Sequence, residues 1–132
     1  MRLLLDTHVW VWSLLDPGRL ARATASALTD PANELWLSPI SVWELLVLIE
    51  KRRVVVDKPG REFIEQALLI APLRDAALSR EVALRCRDLA LQHNDPADRF
   101  LAATALVYDL TLVSADARLL DAPGVRTMRA HD

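Results

Sequence analysis

Met1-Arg2-Leu3-Leu4-Leu5-Asp6-Thr7-His8 opens the chain with an apolar run that does not alternate and that stops at an acid. A strand that is apolar at every position has to be covered on both faces, the condition of a strand inside a parallel sheet. Working outward, similar short runs recur at Leu35-Trp36-Leu37, Leu69 to Leu73, Leu110 to Val113 and Val125 to Met128. Helical stretches are expected between them, at about 7–15, 19–28, 40–53, 60–68, 78–92 and 97–108, with 54–60 as a loop. Strands alternating with helices predict an α/β fold built on a parallel sheet with helices on both faces. No repeat and no Pro/Gly/Ser-rich linker divides the 132 residues, so a single domain, 1–132, is expected.

Composition narrows the class. A chain of this length buries roughly 68% of its unfolded surface, enough for a core without metal or disulfide staples. Cys86 is the only cysteine, which removes a disulfide framework and fits a reducing cytoplasm. The opening apolar run is broken by Asp6, and no run reaches the roughly 18–20 residues of a membrane span. With 16 Lys+Arg against 18 Asp+Glu, the formal charge of −2 excludes nucleic-acid binding by a broad positive field. In the helical stretch 40–53, Ile40, Val42, Trp43, Leu45, Leu46, Val47, Leu48 and Ile49 cover the whole circumference. Such a helix must be covered all round, either by a second chain, with Trp43 at the interface, or by neighbouring helices of the same chain. Trp10, Trp12 and Trp36 are read as core residues.

Ligands of open parallel sheets gather beyond the carboxyl ends of the strands. Four acids are expected there: Asp6 after the first strand, Glu44 early in the helix after the second, Asp98 opening the helix before the fourth, and Asp116 shortly after that strand. Singly, each has a structural explanation. Asp6 can cap the helix from Thr7, Ser41-Val42-Trp43-Glu44 has capping-box spacing, Asp95-Pro96-Ala97-Asp98 reads as N-cap, Pro and an acid at the third position, and Asp116 suits the start of a short helix. Together they would repel one another unless a positive group sits among them. Glu44 is also surrounded at helical spacing by Ile40, Val47 and Leu48, where an unpartnered acid is costly. Oxygen ligands without Cys or a His pair suit Mg2+, or alternatively Mn2+, and such a centre supports phosphodiester hydrolysis.

At these residues the chain resembles the PIN-domain family, and within it the VapC toxins of bacterial toxin-antitoxin systems. Four blocks carry the resemblance in the family's order: Leu3-Leu4-Leu5-Asp6-Thr7-His8, Ser38-Pro39-Ile40-Ser41-Val42-Trp43-Glu44-Leu45, Asp95 to Ala105, and Leu112-Val113-Ser114-Ala115-Asp116-Ala117-Arg118-Leu119. The resemblance implies a three-layer α/β/α sandwich with a five-stranded parallel sheet. It also implies a metal-dependent endoribonuclease acting on RNA and restrained by a cognate VapB-type antitoxin, as a homodimer and in a toxin–antitoxin hetero-oligomer. The family's acidic positions fall on Asp6, Glu44, Asp98 and Asp116, with Asp6, Asp98 and Asp116 at the metal and Glu44 orienting or deprotonating the attacking water. Asp95 is a candidate added ligand or only a cap, the cap being the preferred reading. Where the family often carries a second polar residue near the last acid, Ala115 and Ala117 flank Asp116, which weakens a second metal site more than the first.

Thr7 and Ser114 are candidate hydrogen-bond donors to water or phosphate, or caps. Arg99 and Arg118 are candidate phosphate contacts or solvated arginines; His8 is a candidate general base or, as preferred, a ring packed beneath the first helix; and Lys51-Arg52-Arg53 is expected to close its helix at the negative dipole end in preference to forming an RNA patch. A phosphoaspartyl phosphatase would need a second Asp where His8 stands, and a receiver domain a Lys beyond the last strand, whereas the only lysines are Lys51 and Lys58. A binding module that has lost catalysis would not need all four acids. With four of the 18 acids assigned to one centre, 14 remain against 16 bases, so the rest of the chain is mildly basic.

Overall fold

The computed structural model describes residues 1–91 and 95–131. The opening run forms β1 (Arg2–Leu5), whose Leu3, Leu4 and Leu5 are all buried, as a strand covered on both faces requires. It lies at the centre of a five-stranded, all-parallel sheet with β2 (Glu34–Leu37), β3 (Arg74–Asp75), β4 (Thr111–Ser114) and β5 (Thr127–Arg129), in the order β3-β2-β1-β4-β5. Leu5 pairs with Val113, and the Asp6 N–H donates to Val113 O at 3.0 Å, so the ends of β1 and β4 are locked side by side.

Helices cover both faces, giving the three-layer α/β/α sandwich. Because side chains alternate along a strand, Leu3 and Leu5 pack on one face with Val9 and Trp10 of α1 (Thr7–Leu15), Leu45 of α3 (Pro39–Glu50) and Ile64 of α4 (Gly60–Ile70). Leu4 and Leu112 pack on the other face with Leu101, Ala102 and Ala105 of α6 (Pro96–Val107) and with Leu119 of α7 (Ala117–Leu120). Outside α6 lies α5 (Arg80–Asp88), held through Val82, Cys86 and Ala103. A 3-10 turn (Pro17–Arg19) and α2 (Arg22–Thr29) complete the connection from α1 to β2. Gly60 starts α4 close against α3: a Cβ there would stand 3.2 Å from Leu46 Cδ2. No helix among the described residues is long and apolar enough to cross a membrane.

Several boundaries differ from the sequence reading for identifiable reasons. The strand expected at Leu69 to Leu73 is instead the end of α4 and a connection, and pairing begins only where Arg74 meets Trp36. Leu69 and Ile70 continue the helix, and Pro72 has no N–H to give a ladder. The helix expected over 40–53 ends at Glu50 because Arg52 takes a left-handed conformation, φ 57°. Its N–H then reaches Ile49 O and the Arg53 N–H reaches Leu48 O, the paired bonds of a Schellman cap. The helix expected over 78–92 ends at Asp88, and position 92 lies outside the described residues. Trp10 is core, but Trp12 and Trp36 are half-buried. Trp36 stacks on Tyr108 and is flanked by the Arg2 and Arg74 guanidinium groups. The α3 circumference is divided: α1, α4 and α6 contact the helix, while Trp43 stays 60% exposed.

Candidate active site

From β1 the chain next forms the neighbouring strand β2 on one side, whereas β4 and β5 lie on the other, so the strand order reverses between β1 and β4. The crevice beyond that reversal is where an open parallel sheet presents a ligand site. Asp6 leaves β1 into it and is 7% exposed. One carboxylate oxygen accepts the Thr7 N–H at 2.7 Å, and the other accepts the Ser114 hydroxyl at 2.8 Å. That hydroxyl also accepts the Asp116 N–H at 3.0 Å, so one serine at the end of β4 orients two of the acids.

Glu44 arrives from the second turn of α3. The capping-box reading is corrected: the N-cap is Ser38, whose hydroxyl accepts the Ile40 N–H at 3.1 Å, and Pro39 follows it. Ser41 is therefore inside the helix, fully buried, with its Oγ 2.9 Å from Thr7 Oγ1. Thr7 Oγ1 also lies 2.5 Å from Glu44 Oε1. With one proton to give, the threonine donates to the carboxylate and accepts from Ser41. Thr7 thus holds the half-buried Glu44 against the start of α1.

Asp98 and Asp116 close the other side. Asp95 caps α6 through the Ala97 N–H at 3.0 Å, which places Asp98 in the first helical turn, its side chain 14% exposed. Asp116 caps α7, accepting the Arg118 N–H at 2.9 Å. Arg118 folds back, its guanidinium 3.1 Å from Asp116 Oδ2 and 3.8 Å from Asp98 Oδ2. Arg99 does something else: it donates to the Cys86 and Leu89 carbonyls at 2.9 and 3.2 Å, tying the end of α5 to α6. The solvated reading does not hold for it, because its guanidinium is bonded to the main chain. His8 is exposed and does not pack beneath α1.

Electrostatics show that the acids share one field. Burial pushes the Asp6 carboxyl up, with Asp116 adding to the rise and the Ser114 bond, His8 and the Thr7 N–H opposing it. Burial also raises Glu44, with Asp6 and Asp95 contributing and the Thr7 hydroxyl and His8 opposing. Asp98 is pushed up to about 7, first by burial and then by Asp95, Asp6 and Asp116, with Arg118 opposing. Raised carboxyls in a cleft mark a centre short of positive charge. Among the described residues no three His, Cys, Asp or Glu side chains are already drawn together as a ligand group. The donor set nevertheless fits a hard divalent cation: each ionised carboxylate offers about four lone-pair directions, of which the hydrogen bonds to Asp6 use two, and the site is short of charge of that sign.

All four acids named from the sequence lie near the carboxyl ends of β1 and β4 or in the first turns of α3 and α6. The sequence reading missed Ser41 as a member of the Thr7–Glu44 network and Ser38 as the cap; a hydroxyl immediately before Pro39 is the signal that identifies the latter.

Residues 3–125 match the PIN domain family. The chain is 35% identical over 117 residues to ribonuclease VapC22 of Mycobacterium tuberculosis, with 88% of each chain covered. In fold it is similar to VapBC2 of Rickettsia felis, solved bound to a DNA fragment from their promoter: TM-score 0.73 at 16% identity, covering 98% of this chain and 99% of that chain. DNA-bound VapBC of Salmonella typhimurium gives TM-score 0.73 at 16% identity, covering 98% of each chain.

Proposed function

The chain belongs to the PIN-domain family and, within it, to the VapC group, and from that premise we propose that it is a Mg2+-dependent endoribonuclease restrained by a VapB-type antitoxin. One observation carries the reading most directly. Asp6, Glu44, Asp98 and Asp116 flank the strand-order reversal and influence one another electrostatically, with three of them raised, which supports a cation among them. The relative's name, ribonuclease, supports RNA as substrate, and the VapBC assemblies among the structural neighbours support a VapB-type antitoxin partner.

Asp6 and Asp98 would hold the cation, Asp116 would complete the set, and Mn2+ is the alternative to Mg2+. When bound, the ion would polarise a phosphoryl oxygen and neutralise charge developing during phosphodiester hydrolysis. The residues of the chain do the rest. Ser114 fixes the direction of the Asp6 carboxylate, and Thr7 fixes that of Glu44. Glu44, raised by burial, takes the proton of the attacking water; a base with a pKa nearer the working pH is better suited to this than an ordinary glutamate. Arg118 limits the repulsion between Asp98 and Asp116 before substrate arrives. Asp95 adds negative field but is occupied as a helix cap. The exposed Trp43 on the otherwise packed α3 favours a homodimer through that helix, alongside the antitoxin complex.

The reading is tested in cells by sequencing RNA 5′ ends after induced expression. New, recurrent ends with the wild type that vanish with Asp6→Asn and on co-expression of the antitoxin are expected. The same ends with Asp6→Asn would refute the assignment of the site.

A further inference from the structure

Beside the acid cluster, along α1 and the end of β5, lies a group of side chains that the cleavage chemistry leaves unused. His8 and Trp12 stand one helical turn apart, their ring centroids separated by 6.5 Å. Just beyond β5, His131 brings its ring to 5.9 Å from Trp12. Arg19, at the end of the 3-10 turn, lays its guanidinium 4.5 Å from the Trp12 ring centroid. Hydrogen bonds to the main chain at the end of β5 fix these pieces: the Ala21 N–H donates to Ala130 O at 2.9 Å and the Thr24 hydroxyl to Arg129 O at 2.7 Å. His8 stands two residues beyond Asp6 and directly follows Thr7, whose hydroxyl holds Glu44, so the group begins at the acid cluster.

We infer that Arg19, seated on the Trp12 ring that His8 and His131 also approach, is a subsite for a backbone phosphate of single-stranded RNA flanking the bond cut at the acid cluster. The inference rests on the RNA-cleaving reading of that cluster. Arg19 is exposed, and among the described residues its side chain donates no hydrogen bond and enters no ion pair, Asp16 included. A guanidinium resting on an aromatic face is held in one orientation while its outward N–H groups stay available, and their planar fork matches two phosphate oxygens. The exposed His8 adds an imidazole beside the same ring. An aromatic ring carrying a cationic side chain is a pairing that binds a single strand without reading its sequence. A chain whose net charge is −2 needs such a local feature to hold a polyanion beside four acids.

The test uses a fluorescein-labelled single-stranded RNA oligonucleotide with the full-length protein. Anisotropy in EDTA measures binding without turnover, and cleavage in Mg2+ measures kcat and KM. Arg19→Gln is expected to weaken binding several-fold and to reduce the slope of log affinity against log salt by about 0.7, the loss of one phosphate contact on a single strand. KM is expected to rise by the same factor with kcat unchanged. Trp12→Phe, which keeps an aromatic seat, should retain most of the affinity, and Trp12→Leu should lose it in the same sense as Arg19→Gln while circular dichroism confirms the fold. Unchanged binding, slope and KM in Arg19→Gln would overturn the subsite, as would a fall in kcat alone. Arg19→Gln that loses antitoxin affinity while keeping RNA affinity would also overturn it. Arg19-dependent RNA binding by a wild type that does not cleave would support the subsite and refute the nuclease reading instead.

Discussion

Asp6 and Ser114 are 108 residues apart in sequence and joined by a 2.8 Å hydrogen bond. They meet because β1 and β4 are adjacent parallel strands in a register that ends both at the same level. The same hydroxyl receives the Asp116 N–H. Ser114→Ala removes a donor to a buried carboxylate and leaves a backbone N–H without its partner. The variant is expected to lose about 1–3 kcal/mol in chemical denaturation. RNA cleavage should fall about 10- to 100-fold, the usual cost of losing a group that orients a metal ligand.

Thr7→Val tests the second orienting hydroxyl with little change of shape. The Thr7 donor lowers the Glu44 carboxyl, so its loss raises Glu44 further. The acid limb of the cleavage rate is expected to move to higher pH, with activity reduced at pH 7 and largely regained in alkaline buffer. An unshifted limb with a uniformly low rate would instead mean that Glu44 does not act as the base.

The cation-free protein should be pH-sensitive in an unusual direction. The folded Asp98 carboxyl sits at about 7 against 3.8 for the free side chain, so the native state holds a proton that the unfolded chain has lost. Stability is therefore expected to fall as pH rises from about 4 through 7. At pH 8, Asp98→Asn should stabilise the cation-free protein by about 1–3 kcal/mol, because the charged form that burial penalises is gone. Mg2+ affinity of the wild type should rise through the same window, with proton release visible as a buffer-dependent enthalpy in calorimetry.

Much of this centre was legible in the sequence. Asp6 is marked by the non-alternating apolar run before it, Asp98 by Asp95-Pro96 at a helix start, and Asp116 by the strand that ends at Ser114. These are local signals, decided by propensity and capping within a few residues. What the sequence concealed depends on contacts between distant segments. Ser41 looks like a cap until Ser38 is seen to cap α3, and its bond to Thr7 exists only because α1 and α3 pack together. The edge strand β3 is two residues long and is set by pairing with β2, while Leu69 and Ile70, apolar enough for a strand, are 82% and 75% exposed at the end of α4. Trp12 reads as core in an apolar helix, yet its ring ends half-buried under Arg19 because the 3-10 turn folds back over it.

Trp43 tests the proposed homodimer. Its side chain projects from α3, and an exposed substitution with no partner in the monomer should cost no more than about 0.5 kcal/mol. Trp43→Lys is expected to keep the unfolding midpoint of the monomer while light scattering reports half the wild-type mass. Equal masses for the two proteins would exclude α3 as the dimer face.

The central claim is that the four acids form a cation-dependent centre for RNA cleavage. It is measured most directly by incubating the purified protein with structured RNA in Mg2+ and in EDTA, alongside Asp6→Asn and Asp98→Asn. The account predicts cleavage by the wild type in Mg2+, none in EDTA, restoration on adding back Mg2+ or Mn2+, and at least a 100-fold loss, about 2.7 kcal/mol of transition-state stabilisation, in each variant. Undiminished cleavage in EDTA, or in both variants, would contradict it.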